Sequence, residues 1–308
     1  MRLLTFTEGG RTRAGFEIDG TVVDLAGAMS ATASDSADFG DSILAVLEGG
    51  EPALAAAKSA AAWATAEVAA GRKPSGKHGA TIAFPRQDVR LNAPIPRPGK
   101  IICLGLNYAD HAAEGGSALP AAPMFFAKFA NTIIGTGDNI ILPKVSTQMD
   151  YEAEFAFVIG KKAKHVALED AMNYVAGYMN LDDVSARDLQ SETTQFYRGK
   201  GGDTWAPCGP YLVTRDEVAD PHALSIKCFV NGELMQNSNT RYLIFNVPYL
   251  IHQLTKTVTL DPGDLISTGT PSGVGAARKP PYRLKVGDVV RVEVEGLGVL
   301  ENTCVDED

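Results

Sequence analysis

The chemistry available to this chain is concentrated between Asp150 and Lys200, and it begins with two glutamates one residue apart. Glu152 and Glu154 lie in Asp150-Tyr151-Glu152-Ala153-Glu154-Phe155-Ala156-Phe157-Val158-Ile159-Gly160. Its aromatic and β-branched content and closing glycine predict a strand. Alternate side chains of a strand share a face, so the two carboxylates stand about 7 Å apart along the chain. Like charges so placed are unfavourable unless a cation or a proton compensates them. A third carboxylate, Asp183, follows in a polar turn flanked by Leu181 and Val184. An all-oxygen set selects a hard cation over zinc, with Mg2+ expected first and Mn2+ or Ca2+ as alternatives.

Three further groups could act on a molecule held by such a cation. In Asn107-Tyr108-Ala109-Asp110-His111-Ala112-Ala113-Glu114 a short helix would make His111 and Glu114 i, i+3 neighbours. A carboxylate beside an imidazole fixes its tautomer and raises its basicity, giving a base able to activate water. Lys200 lies in Arg198-Gly199-Lys200-Gly201-Gly202-Asp203, where glycines permit close backbone approach and an ammonium could neutralise an oxyanion. Asp261 to Gly275 reads as a turn, a buried strand and a glycine-rich loop offering backbone N–H groups and the Thr270 hydroxyl to an anion. Each segment alone also fits a plainer role: edge carboxylates in solvent, a surface ion pair, a solvated lysine, an ordinary turn.

The chain that must position these groups has 308 residues, 45% apolar and 21% charged, which is ordinary for a globular protein of one large domain or two. The net charge of -9 argues against a nucleic-acid binder, which would carry a basic face. Cys103, Cys208, Cys228 and Cys304 are scattered and form no Cys-x-x-Cys pair. Unpaired thiols in a reducing compartment are therefore expected, not a disulfide framework. The N-terminus lacks the apolar core and cleavage site of a signal peptide, and no apolar run approaches the ~20 residues of a membrane span. A cytoplasmic protein without a membrane partner is the expectation.

Phe16-Glu17-Ile18 and Thr21 to Leu25 flank Asp19-Gly20, a hairpin signal. A helical pattern runs from Asp41 to Gly71 with a stop at Gly49-Gly50. Pro94, Pro96 and Pro98 hold the chain extended and mark a boundary between a small N-terminal domain, residues 1–95, and a main domain, residues 96–308. Strand-like runs then dominate: Ile101 to Leu104, Met124 to Phe126, Asn139 to Leu142, Phe155 to Ile159, Tyr211 to Thr214 and Ser225 to Val230. A final hairpin turns at Gly296-Leu297-Gly298, and helical stretches in this main domain are few: Tyr108–Glu114, Leu168–Tyr174 and Val247–Thr255. There is no βαβ alternation with a phosphate loop, so the predicted class is α+β, mainly antiparallel β with peripheral helices.

Taken together, Gly105 to Glu114, Asp150 to Gly160, Asp183 to Asp188, Lys200 to Pro210, Asn231 to Thr240 and Pro262 to Gly275 resemble, in order, the motifs of the fumarylacetoacetate hydrolase family. The resemblance spans Lys100 to Thr303 and is to a bacterial acylpyruvate hydrolase-like member. It implies a mixed β-sandwich roll beside a small N-terminal α/β domain, and a homodimer. It further implies that Glu152, Glu154 and Asp183 bind a divalent metal, that His111 and Glu114 activate water, and that Lys200 faces the substrate's carbonyl or enolate. Lys128, Arg187, Gln190 and Thr270 match positions that bind substrate oxygens. The implied reaction is hydrolysis of a carbon–carbon bond in an acylpyruvate or 2,4-diketo acid, a small anionic 2-keto acid, with pyruvate enolate departing. Alternatives are an oxaloacetate-type decarboxylase or tautomerase, and a hydrolase or dehydratase of 2-keto-3-deoxy sugar acids. Three departures concern the pocket: Asp182 stands where relatives often carry asparagine, Phe129 where proline is common, and Gly202 where an aromatic is common.

Overall fold

The computed structural model describes residues 1–32 and 42–308, so Asp41, where the helical pattern is expected to begin, lies outside the described residues. The fold is α+β and mainly β. The N-terminal hairpin forms as the sequence predicts, with Asp19 and Gly20 at φ 44° and 76° between strands Arg11–Ile18 and Thr21–Asp24. Two positive φ values suit a two-residue turn whose twist matches that of its strands. Helices Ile43–Glu48 and Gly50–Ala69 meet at the expected glycine pair.

Among the described residues, one 12-stranded sheet forms the frame. One end consists of Ala83–Pro85, Thr21–Asp24, Arg11–Ile18 and Arg2–Glu8. Arg2–Glu8 pairs antiparallel with Ala206–Thr214, so the N-terminal strands continue directly into the rest of the sheet. Beyond lie Val175–Asp182, Ala153–Ile159, Leu265–Ser267, Ile101–Gly105 and Met124–Lys128. A second, five-stranded sheet is ordered Glu233–Asn239, Ser225–Val230, Val289–Val294, Val299–Asp306 and Asn139–Leu142.

Ala153–Ile159 is buried throughout, and its two faces serve two cores. Phe155, Phe157 and Ile159 pack with Ile226, Val290, Val292 and Leu300 of the second sheet. Ala156 and Val158 pack with Ile101, Cys103 and, further out, the helix residues Ala53, Ala57 and Ala60. A strand whose faces are both covered must be apolar on both, as this one is. The exception is its beginning, where Glu152 and Glu154 occupy the face of Ala156 and Val158.

Val175–Asp182 is a strand that the sequence pattern did not announce. Gly177, Asn180 and Asp182 dilute its apolar signal, and their polar groups are satisfied only in the assembled fold. Asn180 is fully buried between the sheets. Its Nδ2 donates to the carbonyls of Gly209 at 3.0 Å and Gly298 at 3.2 Å, while its Oδ1 accepts the Val294 N–H at 2.7 Å. Asn180→Ala strands these backbone groups away from water and is expected to lower the unfolding free energy by about 3 kcal/mol in urea titrations.

Candidate metal centre and active site

Cross-strand register brings the acids together. Ala153 pairs with Asp182 and Glu154 with Leu181, and the Asp183 N–H donates to the Glu152 carbonyl at 2.9 Å. Asp183 extends the face of Leu181 and Met179, which is also the face of Glu152 and Glu154. One carboxylate oxygen from each of Glu152, Glu154 and Asp183 lies within 4.8 Å of the others, and all three residues are buried.

Every oxygen but one in this trio is engaged. Lys200 Nζ donates to Glu152 Oε2 and Asp183 Oδ2, each at 2.8 Å. Lys128 Nζ, from the far edge of the sheet, reaches Asp183 Oδ1 at 2.5 Å. Arg187 Nη1 takes Glu152 Oε1 at 2.6 Å. Glu154 Oε2 accepts from the Ser267 hydroxyl and from the Gly269 N–H. Glu154 Oε1 is buried with no partner. Such an orphaned oxygen, set beside two other carboxylates, fits a bound hard cation.

The electrostatics follow from this arrangement. Burial alone would raise Glu152, but the charges of Lys200 and Arg187 outweigh it and hold its pKa near about 2. Burial raises Glu154 well above the ordinary carboxylate range, reinforced by the negative charges of Asp183 and Glu152. Asp182, on the opposite face, is raised to about 7 by burial and by the same neighbours, although it accepts the Glu152 N–H at 2.9 Å. Burial opposes the charge on Lys200, yet Asp183 and Glu152 keep its pKa above that of a free lysine. Glu152 has cationic partners and a lowered pKa; Glu154 and Asp182 have no cationic partner, and theirs are raised.

His111 and Glu114 sit on the short helix Ala109–Glu114 and remain partly exposed, with His111 Nδ1 and Glu114 Oε2 3.4 Å apart. Glu114 also accepts the Gly273 N–H at 2.9 and 3.1 Å. That loop residue has φ 100°, and an added Cβ would lie 2.4 Å from the Met235 carbonyl oxygen, so only glycine brings its N–H to Glu114. Asp110 ties the same helix to Ser238 and Ser272.

The remaining expected contacts to substrate are placed differently. Lys128 has a fully buried side chain and is the counter-charge of Asp183, not a free arm. The Thr270 hydroxyl is committed to the protein, donating to the Ala153 carbonyl and accepting from Gln236 Nε2, both at 2.8 Å. Gln190 Oε1 accepts from Arg187 Nη1 at 3.1 Å, and Arg187 Nη2 is left without a partner. Asp150 was missed as an organiser: it accepts the N–H groups of Gly275 and Ala276 and binds Arg187 Nε at 2.9 Å. Its only sequence signal was its place at the head of the acidic run. Trp205 explains the small residue at 202, where an added Cβ would lie 2.4 Å from the indole.

The fumarylacetoacetate (FAA) hydrolase C-terminal family model matches residues 100–305. The chain belongs to the fumarylacetoacetate hydrolase family. It is 44% identical to the mitochondrial oxaloacetate tautomerase of Xenopus laevis, over 99% of this chain and 90% of that protein. The fumarylacetoacetate hydrolase structure from Exiguobacterium antarcticum is 34% identical with a TM-score of 0.79, covering 100% of both chains. A maleylpyruvate hydrolase from Sphingobium sp. SYK-6, in complex with manganese(II) ion and pyruvate, is 28% identical with a TM-score of 0.75, again over 100% of both chains.

Two expectations change. The relative at 44% identity along 99% of this chain is a eukaryotic tautomerase, not a bacterial acylpyruvate hydrolase. Its name also places it in mitochondria, which overturns the cytoplasmic expectation; the scattered thiols that suggested cytoplasm do not distinguish the two compartments. No helix among the described residues is long and apolar enough to cross a membrane. The acid triad and the manganese-bound family structure together support a divalent-metal site.

The raised Asp182 has a consequence for stability. A carboxyl whose folded pKa exceeds its unfolded value stabilises the fold at low pH, and this stability is lost as pH rises through about 7. Asp182→Asn keeps an acceptor for the Glu152 N–H without a titrating charge. Thermal melts of metal-free protein are expected to show the variant ahead of wild type by several degrees at pH 8.5, with the gap closing by pH 5.

Proposed function

We propose that the protein is an oxaloacetate tautomerase that interconverts the keto and enol forms of a small dicarboxylic 2-keto acid. The observation that carries this reading is the 44% identity to an oxaloacetate tautomerase across 99% of the chain. Tautomerisation removes a proton from C3 and delivers one to the C2 oxygen, so the site must supply a base and a stabilised position for the oxyanion. We include in the proposal Mg2+ as the ion and a homodimer as the working assembly.

Glu152, Glu154 and Asp183 would hold the divalent ion, which when bound acts as a Lewis acid on the substrate's oxygens. His111 is the base for the C3 proton. With Glu114 beside Nδ1, the favoured tautomer carries its proton there and leaves Nε2 free to accept. Glu114 is held by Gly273 N–H, which fixes the imidazole's partner. Lys200, whose ammonium bridges Glu152 and Asp183, stabilises the developing enolate oxygen. Arg187 Nη2, a buried donor without a protein partner, suits a carboxylate of the substrate.

A second reading, hydrolysis of an acylpyruvate, is favoured by the full-length likeness to a maleylpyruvate hydrolase and would use the same His111–Glu114 pair on water. A panel of oxaloacetate, acylpyruvates and 2-keto-3-deoxy sugar acids, with Mg2+ and with EDTA, separates the readings. Enol loss without CO2 or a released acid is expected from oxaloacetate, and cleavage of an acylpyruvate at comparable kcat/KM would reverse the order. His111→Ala is expected to slow tautomerisation about 10²- to 10⁴-fold while calorimetric Mg2+ affinity is unchanged. Full turnover in that variant would remove His111 from the mechanism.

A further inference from the structure

The carboxylate oxygens of the acid trio are not equally available. Glu152 Oε1 is held by Arg187 and Asp183 Oδ1 by Lys128, both cations with second anchors: Arg187 on Asp150, and Lys128 on the Val184 carbonyl at 3.4 Å. Glu154 Oε1 is already free. The two remaining oxygens that a shared ion needs, Glu152 Oε2 and Asp183 Oδ2, are both taken by one group, Lys200 Nζ, at 2.8 Å each. Withdrawal of that single ammonium opens one oxygen on each of these two acids beside the free oxygen of Glu154. No other single side chain among the described residues does this.

We propose that Lys200 is the exchangeable internal cation of the site: its ammonium occupies the metal's carboxylates in the metal-free protein and is displaced by the divalent ion. This deepens the proposed function, because displacement delivers Nζ to the pocket only after the ion has entered. The metal therefore binds before the substrate meets its lysine. Exchange also selects for charge. A monovalent ion replacing an ammonium leaves the number of positive charges on the acids unchanged, whereas a divalent ion adds one. The long, flexible lysine stem allows such a swing, while the pairs of Arg187 and Lys128 keep their acids oriented for the incoming ion.

The exchange is tested without any substrate, so its failure is distinct from failure of the tautomerase reading. In Lys200→Met the competitor is gone, and Mn2+ and Mg2+ are expected to bind at least about tenfold more tightly by calorimetry than in wild type. The metal-free variant should melt lower than wild type, and saturating Mn2+ should raise its melting temperature by more. Equal or weaker affinity in Lys200→Met overturns the proposal. Should that variant not fold, the crystal structure of the wild-type protein with Mn2+ decides. Nζ withdrawn from both Glu152 Oε2 and Asp183 Oδ2 supports exchange, and Nζ still bonded to both beside a bound ion overturns it.

Discussion

Three buried carboxylates on one face of two neighbouring strands are the constraint around which this molecule is arranged. Their mutual repulsion in a low-dielectric interior must be offset, and the fold does so by drawing cations from distant parts of the chain. Lys128 arrives from an edge strand, Arg187 from the start of the short helix Arg187–Ser191, and Lys200 from a short helix of its own. Where no cation arrives, at Glu154 and Asp182, the carboxyl keeps its proton more firmly instead.

The sheet architecture supplies the rigidity this requires. Ala153–Ile159 is covered on both faces, and Val175–Asp182 is fixed to the second sheet through Asn180. A one-residue slip between these strands would carry Glu152 and Glu154 to the face of Phe155 and Phe157, into an apolar core. Packing and site geometry therefore specify the same register. The helix that carries His111 and Glu114 is less deeply fixed. Ala109–Glu114 is joined to the glycine-rich loop through Glu114 and Asp110, contacts at the partly exposed rim.

Much of this was legible in local pattern. The alternation around Glu152 and Glu154, the Asp19-Gly20 turn and the stop at Gly49-Gly50 each depend on backbone geometry that a few residues dictate. The pairing of Lys128 with Asp183 was not legible, because 55 residues separate them and only sheet order brings the edge strand across. Thr270 was expected to offer its hydroxyl to an anion; the neighbouring Ala153 carbonyl and Gln236 claim it first. A hydroxyl's partner depends on which strand lies beside it, and sequence spacing carries no record of that.

By itself, the sequence determined the residue types of the site, the strand face that Glu152 and Glu154 share and the membership of a family whose motifs recur in order. These rest on period-two geometry and on residue identity, both local properties. Only the tertiary structure decided which cation answers which carboxylate, that Glu154 and Asp182 are left without one, and that Lys200 bridges Glu152 and Asp183. Coulomb interactions and burial act through space, so they exist only once distant segments have been packed against one another.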